Sequence, residues 1–170
     1  MAVIGASGAS PASVSTAERL GAAIAAEGWN LLCGGGSGVM EAACKGFAEQ
    51  GSRSGEGGVS IGVLPGIDPA WGNDYLDVVL PTGLGLARNA VITRSALGVF
   101  AVGGQTGTLS EMALAWQMGK PIVALTEAGG WSARLAGEAL DDRRNDTVIA
   151  ADTVESAVQS MRGAIEGMPR

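Results

Sequence analysis

Short, continuous runs of apolar residues alternate along the chain with longer stretches in which apolar residues recur every three or four positions. A continuous apolar run predicts a strand that is buried on both faces, whereas the three-to-four spacing predicts an amphipathic helix. Strands that alternate with helices over the whole length are typical of a parallel sheet. We therefore predict an α/β fold: a Rossmann-like doubly wound parallel sheet with helices on both faces, forming a single domain over residues 1–170. The predicted strands cover residues 2–5, 30–33, 59–64, 77–80, 97–102, 121–125 and 147–150.

Three helix starts are predicted from residues with the spacing of a capping box, a serine, threonine or aspartate three positions before a glutamate. These pairs are Ser15 with Glu18, Thr108 with Glu111, and Asp152 with Glu155. The helices that begin there are predicted to end at Gly28, at Met118 and near Met168. Three other stretches are rich in glycine or polar residues and are predicted to be loops: 51–58, 67–75 and 126–131.

The composition excludes several kinds of active site. The chain contains no histidine, so Ser-His-Asp and Cys-His relays and histidine-ligated zinc or haem cannot be built from it. Cys33 and Cys44 are too few for a four-cysteine metal site, and their apolar neighbours predict buried free thiols in a reducing compartment. We expect no metal site.

Charge and hydropathy limit the partners. The net charge of −6 disfavours a nucleic-acid or anionic membrane surface, so we expect neither partner. No apolar run approaches the roughly 18 residues that would suggest a membrane span. The first ten residues, MAVIGASGAS, lack the basic start of a signal peptide, so a cytoplasmic location is predicted.

Three predicted strand-to-helix loops are rich in glycine: GASGAS, CGGGSGVME and VGGQTGTLSE. In a parallel sheet these loops meet at the carboxyl edge, where ligands bind near the point at which the strand order reverses. Glycine lets backbone N–H groups approach a ligand, and a helix N-terminus adds partial positive charge. The pattern predicts a site for a phosphate or another compact anion, although glycine also serves tight turns.

Familiar nucleotide motifs fit these loops poorly. Val39 occupies the place of the third glycine that a dinucleotide-binding motif needs after Gly34 and Gly36. The third loop has no lysine before Thr108 and is one residue short of a P-loop. A dehydrogenase or NTPase is therefore disfavoured. A monophosphate is easier to accommodate, because one helix N-terminus and a few amides suffice to bind it.

Four segments carry a resemblance to a known superfamily: CGGGSGVMEAACKG, IGVLPG, TGLGLARNAVITRSA and VGGQTGTLSEMALAWQMGKPI. They resemble the superfamily that joins the LONELY GUY (LOG) phosphoribohydrolases to the molybdenum-cofactor carrier proteins. Many members once carried a lysine decarboxylase label, which Lys120 at the start of a strand does not support. LOG enzymes cleave the N-glycosidic bond of nucleoside 5′-monophosphates, giving free base and ribose 5-phosphate.

The resemblance assigns roles to residues around the third loop. Glu111 and Arg88 match the catalytic glutamate and arginine of the LOG pattern. Val102 and Asn89 replace a proline and a lysine of that pattern, and both departures are similar to the carrier branch, in which the ligand need not be cleaved. The candidate ligand-binding residues are Gly103, Gly104, Gln105, Thr106, Gly107, Thr108 and Asn89, with Ser7, Gly35, Gly36, Ser37 and Met40 from the first two loops.

Two functions remain open from the sequence. One is binding of an AMP-like nucleoside 5′-monophosphate or a phosphate-bearing cofactor, either with or without hydrolysis of the N-glycosidic bond. In hydrolysis the Glu111 carboxylate would stabilise positive charge on the ribose. The alternative is a molybdenum-cofactor carrier that binds a molybdopterin-type ligand without catalysis. Neither needs a further cofactor. Glu111 could also serve only as a helix cap, Ser7 and Ser37 as caps, and Met40 as a core residue. The resemblance also implies a homodimer or homotetramer.

Overall fold

The computed structural model of the chain describes residues 1–54 and 58–168. Its strands are β1 (Ala2–Gly5), β2 (Leu31–Cys33), β3 (Ser60–Leu64), β4 (Val78–Pro81), β5 (Val99–Val102), β6 (Ile122–Leu125) and β7 (Ile149–Ala151). Its α-helices are α1 (Pro11–Ala26), α2 (Val39–Ser54), α3 (Arg88–Ser95), α4 (Thr106–Gln117), α5 (Gly130–Leu135) and α6 (Val154–Glu166). Short 3₁₀ turns lie at Pro69–Trp71, Gly85–Ala87 and Thr126–Ala128.

The strands form one parallel sheet in the order β4-β3-β2-β1-β5-β6-β7. The chain winds outward in one direction from β1 to β4 and then returns to the middle, so that β5 pairs with β1 from Ala2 opposite Val99 to Gly5 opposite Val102. The order therefore reverses between β1 and β5. The predicted doubly wound α/β architecture is confirmed, and every predicted strand is present with its ends moved by at most two residues.

Two apolar clusters hold the helices on the two faces of the sheet. Helices α1, α2 and α6 cover one face and pack on Val3, Phe100 and Val102. Helices α3, α4 and α5 cover the other, where Ile4 and Ala101 are buried against them. Strands β1, β5 and β6 are covered on both sides, which is why their sequences are continuous apolar runs.

The helix starts differ from the prediction. Helix α1 begins at Pro11, four residues before the predicted start at Ser15, and is capped by Ser10. The fixed φ of proline suits the first helical position, which explains the earlier start. Thr153, not Asp152, caps α6 and forms a capping box with Ser156. Helix α4 begins at Thr106, with Gln105 before it and no side-chain cap. Glu111 therefore lies beyond the first turn, and its interpretation as a helix cap is wrong.

Two further predictions concern the loop predicted at residues 51–58 and the thiols of Cys33 and Cys44. Residues 51–54 continue α2 rather than forming a loop, and residues 55–57 lie outside the described part of the chain. Cys33 and Cys44 are both buried free thiols, as predicted, with their Sγ atoms 3.6 Å apart. Across the described residues, no helix is both long and apolar enough to cross a membrane.

Candidate functional site

A cleft opens at the carboxyl edge of the sheet, where the loops after β1 and β5 diverge. In a doubly wound sheet this reversal point is where ligands bind, because helices leave it toward opposite faces. The cleft has a volume of about 190 Å³ and opens to solvent. It is lined by the end of β1 and the loop after it, by Gly34 and Met40, by the start of α3 and by the first turns of α4.

The N-terminus of α4 forms one wall of this cleft. Gln105, Thr106, Gly107 and Thr108 all line it. The backbone N–H groups of Thr106, Gly107 and Thr108 donate to no other group in residues 1–54 and 58–168. By contrast, side-chain oxygens of Ser10 and Thr153 cap α1 and α6. Unsatisfied N–H groups and the helix dipole make the α4 N-terminus attractive to an anion.

The other two glycine-rich loops pack against each other. The Val39 N–H at the start of α2 donates to the Ala6 carbonyl, 3.1 Å away. Gly38 has φ +69°, and a Cβ there would lie 2.3 Å from the Ser7 carbonyl oxygen. Gly5 also allows the two loops to approach, because a Cβ on it would meet the Val39 side chain. Glycine at these positions therefore allows the first two loops to pack closely against each other.

A buried ion pair forms the floor of the cleft. Arg88 Nη1 donates to Glu111 Oε1 at 3.2 Å, and the two side chains are only 16% and 8% exposed. The guanidinium lies against the Gly34 backbone, since a Cβ at Gly34 would fall 2.5 Å from an Arg88 nitrogen. The loop after β2 thus needs glycine at this position to admit the arginine. The two residues that the LOG pattern pairs are brought together from α3 and α4.

The pKa of Glu111 is raised from 4.5 to about 7, chiefly because burial disfavours the charged carboxylate. The positive charge of Arg88 acts in the opposite direction but does not overcome burial. At neutral pH the carboxyl is therefore divided between its protonated and ionised forms. A group with this property can either give or take a proton inside the cleft.

Stability is expected to fall across the range in which Glu111 titrates. Between pH 4.5 and about 7 the folded protein keeps a proton that the unfolded chain has released. The free energy of unfolding therefore decreases with rising pH, by about 3 kcal/mol in total, and the loss is complete above pH 7. Glu111→Gln removes this component.

Urea unfolding of the native protein and of Glu111→Gln at about pH 5 and about pH 7.5 measures this difference. The N-terminal amine of Met1, whose pKa burial lowers to about 6, titrates in both proteins and cancels in the comparison. Parallel pH profiles for the two proteins would show that Glu111 does not carry the effect.

Two buried polar side chains at the cleft have no hydrogen-bond partner in the part of the chain that the structure describes. Asn89 is 5% exposed and Thr108 is 2% exposed, and both line the cleft. Within the described ranges neither the Asn89 amide nor the Thr108 hydroxyl has a hydrogen bond to another protein group, and neither is sealed from the cleft. Buried polar groups normally have partners, so these two are placed to bind a ligand or water.

The structure separates the candidate residues into three groups. The cleft is lined by Ser7, Met40, Arg88, Asn89, Gln105, Thr106, Gly107, Thr108 and Glu111. Gly104 lies in an adjoining depression with Ser10 and Gly130, and Gly36 and Ser37 lie in another with Glu41 and Trp71. Gly35 and Gly103 line none of these three surfaces. Gly35 packs on Gly62 and Leu64, and the Gly103 N–H donates to Ser132 Oγ at 2.8 Å.

Sequence reasoning did not identify Leu86, Gly34 or Ser132. Leu86 and Gly34 line the cleft, and Ser132 is fully buried behind the third loop. The Ser132 hydroxyl accepts from the Gly103 N–H and lies 2.8 Å and 2.9 Å from the Leu125 and Gly129 carbonyl oxygens, between which its one proton is shared, so it fixes the start of that loop. A serine one residue after Trp131 gives no local signal of this role. Among the described residues, no group of three or more Cys, Asp or Glu could hold a metal ion.

Comparison with known proteins gives a family match and similar solved structures. The SLOG cluster4 family matches residues 1–158. The crystal structure of TM1055 is 36% identical, with a TM-score of 0.85, covering 95% of this chain and 97% of that one. The molybdenum cofactor binding protein of the phototrophic bacterium Rippkaea orientalis is 35% identical, with a TM-score of 0.81 and coverage of 96% and 95%. The molybdenum cofactor carrier protein of Chlamydomonas reinhardtii is 32% identical, with a TM-score of 0.80 and coverage of 97% of each chain.

Proposed function

Because the chain belongs to the SLOG cluster4 family, we propose that it binds and carries a phosphate-bearing ligand of the molybdopterin type without cleaving it. The observation that carries this proposal is the α4 N-terminus, where three free N–H groups open into the cleft. The names of two similar proteins, a molybdenum cofactor binding protein and a molybdenum cofactor carrier protein, support the identity of the ligand.

The phosphate of such a ligand would be bound by neutral groups. Thr106, Gly107 and Thr108, whose N–H groups and Thr108 hydroxyl would bind it, all line the cleft. Arg88 contacts Glu111, and its positive charge is offset in those molecules in which that carboxyl is ionised, so the helix dipole and the amides supply much of the attraction. The cleft is large enough for the phosphate and the adjoining atoms, and its open side leaves room for the rest of the ligand.

Asn89 would contact the organic part of the ligand. Its amide can donate two hydrogen bonds and accept two, and none is used by the protein within the described ranges. A pterin or purine ring presents donors and acceptors along the same edge, which matches an amide better than a lysine. Asparagine at this position therefore suits recognition of the ring, whereas a lysine would supply a positive charge that attracts the phosphate.

Hydrolysis of a nucleoside 5′-monophosphate is the second candidate. The observation in its favour is Glu111, a buried carboxyl with a pKa of about 7 beside Arg88. Its ionised form would stabilise the positive charge that develops on ribose as the N-glycosidic bond breaks. Its protonated form lacks that ability, so an activity of this kind would increase as the pH rises through 7.

Adding AMP, adenosine or inorganic phosphate to purified protein and measuring the melting temperature tests for a phosphate site, and measuring free adenine after incubation with AMP distinguishes the two candidates. We expect AMP to raise the melting temperature and adenosine to have little effect, because the phosphate supplies most of the binding energy. We expect no adenine in the reaction mixture on chromatography.

Glu111→Gln provides the control for cleavage. Its amide keeps the size of the side chain, and the phosphate-binding amides are untouched, so AMP should still raise its melting temperature. Release of adenine by the native protein that disappears in Glu111→Gln would replace the carrier proposal by the hydrolase. Failure of every phosphate compound to change the melting temperature would contradict both.

A further inference from the structure

Two buried cysteines lie in contact beside the floor of the cleft. Cys33 is the last residue of β2 and Cys44 lies in the second turn of α2, and both side chains are fully buried, with their Sγ atoms 3.6 Å apart. Gly34, the residue after Cys33, lines the cleft. Met40, one helical turn before Cys44 and on the same face of α2, lines it too. The proposed function uses neither thiol.

The two sulfur atoms have different surroundings. The Gly35 N–H donates to Cys33 Sγ at 3.3 Å, so this sulfur is an acceptor and the Cys44 S–H is placed to donate to it. The hydrogen bond from Cys44 lowers the pKa of Cys33 against the effect of burial. The Gly35 N–H and the charge of Arg88 act in the same direction. The bond to Cys33 and burial raise the pKa of Cys44, so Cys33 forms the reactive thiolate more readily.

A disulfide between the two residues requires a short movement. Bonded sulfur atoms lie about 2.05 Å apart, so these two must approach each other by about 1.5 Å. The α2 backbone is held against α1, where a Cβ on Gly46 would stand 1.9 Å from the Glu18 carbonyl oxygen. Beyond Cys33, by contrast, the chain continues as three glycines, 34–36, whose backbone adapts readily. The loop after β2 is therefore the part that would move.

We propose that Cys33 and Cys44 form a reversible disulfide in response to a peroxide, and that the disulfide weakens ligand binding in the cleft. The Cys33 thiolate attacks one peroxide oxygen, the O–O bond breaks, and the other oxygen leaves and takes up a proton, which gives a sulfenic acid on Cys33. The Cys44 sulfur then attacks Cys33 Sγ, the S–O bond breaks, and the hydroxyl leaves with the Cys44 proton as water. Two electrons pass from the two thiols to the peroxide, and a dithiol reductant reverses the change.

Arg88 transmits the movement of the loop to the cleft. Its guanidinium lies in close contact with Gly34, where a Cβ would fall 2.5 Å from an Arg88 nitrogen. Moving Gly34 toward α2 takes away this support and shifts the guanidinium relative to Glu111 on the cleft floor. Binding of a phosphate ligand is then weaker, because the floor no longer fits the ligand. This part of the inference rests on the proposed function.

The coupling between the thiols and the cleft acts in both directions. If the disulfide lowers the affinity for a ligand, the ligand must disfavour the disulfide by the same factor. AMP at a saturating concentration should therefore slow the loss of thiols when peroxide is added. Adenosine, which lacks the phosphate, should not.

Hydrogen peroxide added to the reduced native protein tests the pair. We expect both thiols to be lost and the peptide that carries both cysteines to lose two hydrogen atoms by mass spectrometry. We expect the Kd for AMP to rise about tenfold, a usual size for coupling between two sites, and to return to its first value when dithiothreitol is added. Circular dichroism of the oxidised protein shows that weaker binding is not loss of folding.

Cys44→Ala and Cys33→Ala are matched variants, since each removes one fully buried thiol and no charge. In Cys44→Ala the sulfenic acid has no second thiol to react with, so peroxide should add oxygen to Cys33. In Cys33→Ala the remaining thiol should survive the same treatment, and the affinity for AMP should no longer respond to peroxide. Equal reactivity of the two remaining thiols would contradict the assignment of Cys33 as the attacking group.

Oxidation of the native protein that occurs only in denaturant, or that adds oxygen to Cys33 without joining it to Cys44, would overturn the disulfide. An equal Kd for AMP in the thiol and disulfide forms would overturn its link to the cleft. If the disulfide forms but neither form binds a phosphate compound, the thiol chemistry is supported and the proposed function fails. If AMP binds and no disulfide forms, the proposed function is supported and this inference fails.

Discussion

Gly107→Asp is expected to abolish binding of phosphate ligands, with a loss of affinity of at least about a hundredfold. Gly107 lies in the first turn of α4, and a Cβ there would meet no other atom within 4 Å. The new carboxylate would therefore fit at the cleft wall without distorting the fold. It would occupy the positive end of the helix dipole and repel a second anion.

The same substitution should slightly stabilise the protein without ligand, because a carboxylate at a helix N-terminus contributes about 0.3–1 kcal/mol. The opposite signs of the two effects distinguish the electrostatic explanation from simple damage to the fold. Gly107→Asn is the matched control, since it has the same shape and no charge and should bind much more tightly than Gly107→Asp. Titration calorimetry with AMP, together with melting temperatures, measures both effects. Equal affinities for the two variants would contradict an anion site at this turn.

Gly46→Ala is expected to destabilise the fold by about 3 kcal/mol or more, although alanine is the better helix former. Gly46 lies in α2, and a Cβ there would stand 1.9 Å from the Glu18 carbonyl oxygen of α1. Gly21 of α1 approaches the Ala43 carbonyl of α2 equally closely. The two helices cross at these glycines, so a methyl group requires them to separate and disrupts the apolar cluster beneath them.

Gly163→Ala provides the comparison for this packing effect. Gly163 lies within α6, and a Cβ there would meet nothing within 4 Å. Alanine should therefore stabilise the protein by about 0.5–1 kcal/mol, through helix propensity alone. Urea denaturation of both variants tests the pair. A Gly46→Ala protein as stable as the native one would show that the helices can separate at little cost.

The arrangement of strands could be predicted because each buried strand leaves a local signal. Runs such as 97–102 and 121–125 are continuously apolar, and glycine or polar residues separate them from the helices. The resemblance to the LOG and carrier superfamily is confirmed by the family match and by the similar solved structures. The third glycine-rich loop was identified correctly as the start of a helix at the carboxyl edge of the sheet.

Roles that depend on long-range contacts could not be predicted. The spacing of Thr108 and Glu111 suits a capping box, but Glu111 instead pairs with Arg88, which is 23 residues earlier in the sequence. Three glycine-rich loops look equivalent along the chain, yet the Val39 N–H donates to the Ala6 carbonyl and Gly38 packs against Ser7, so glycine at these positions joins the first two loops. Only the fold shows which backbone groups are already occupied.

The free amides of α4 can be tested directly by nuclear magnetic resonance. We expect titration with AMP to shift the backbone amide resonances of Thr106, Gly107 and Thr108 most strongly, because their N–H groups would donate to the phosphate. The first-turn amides of α6, where Ser156 N–H donates to Thr153, should change little. Shifts centred elsewhere, or none at saturating AMP, would contradict the assignment of this helix terminus as the phosphate site.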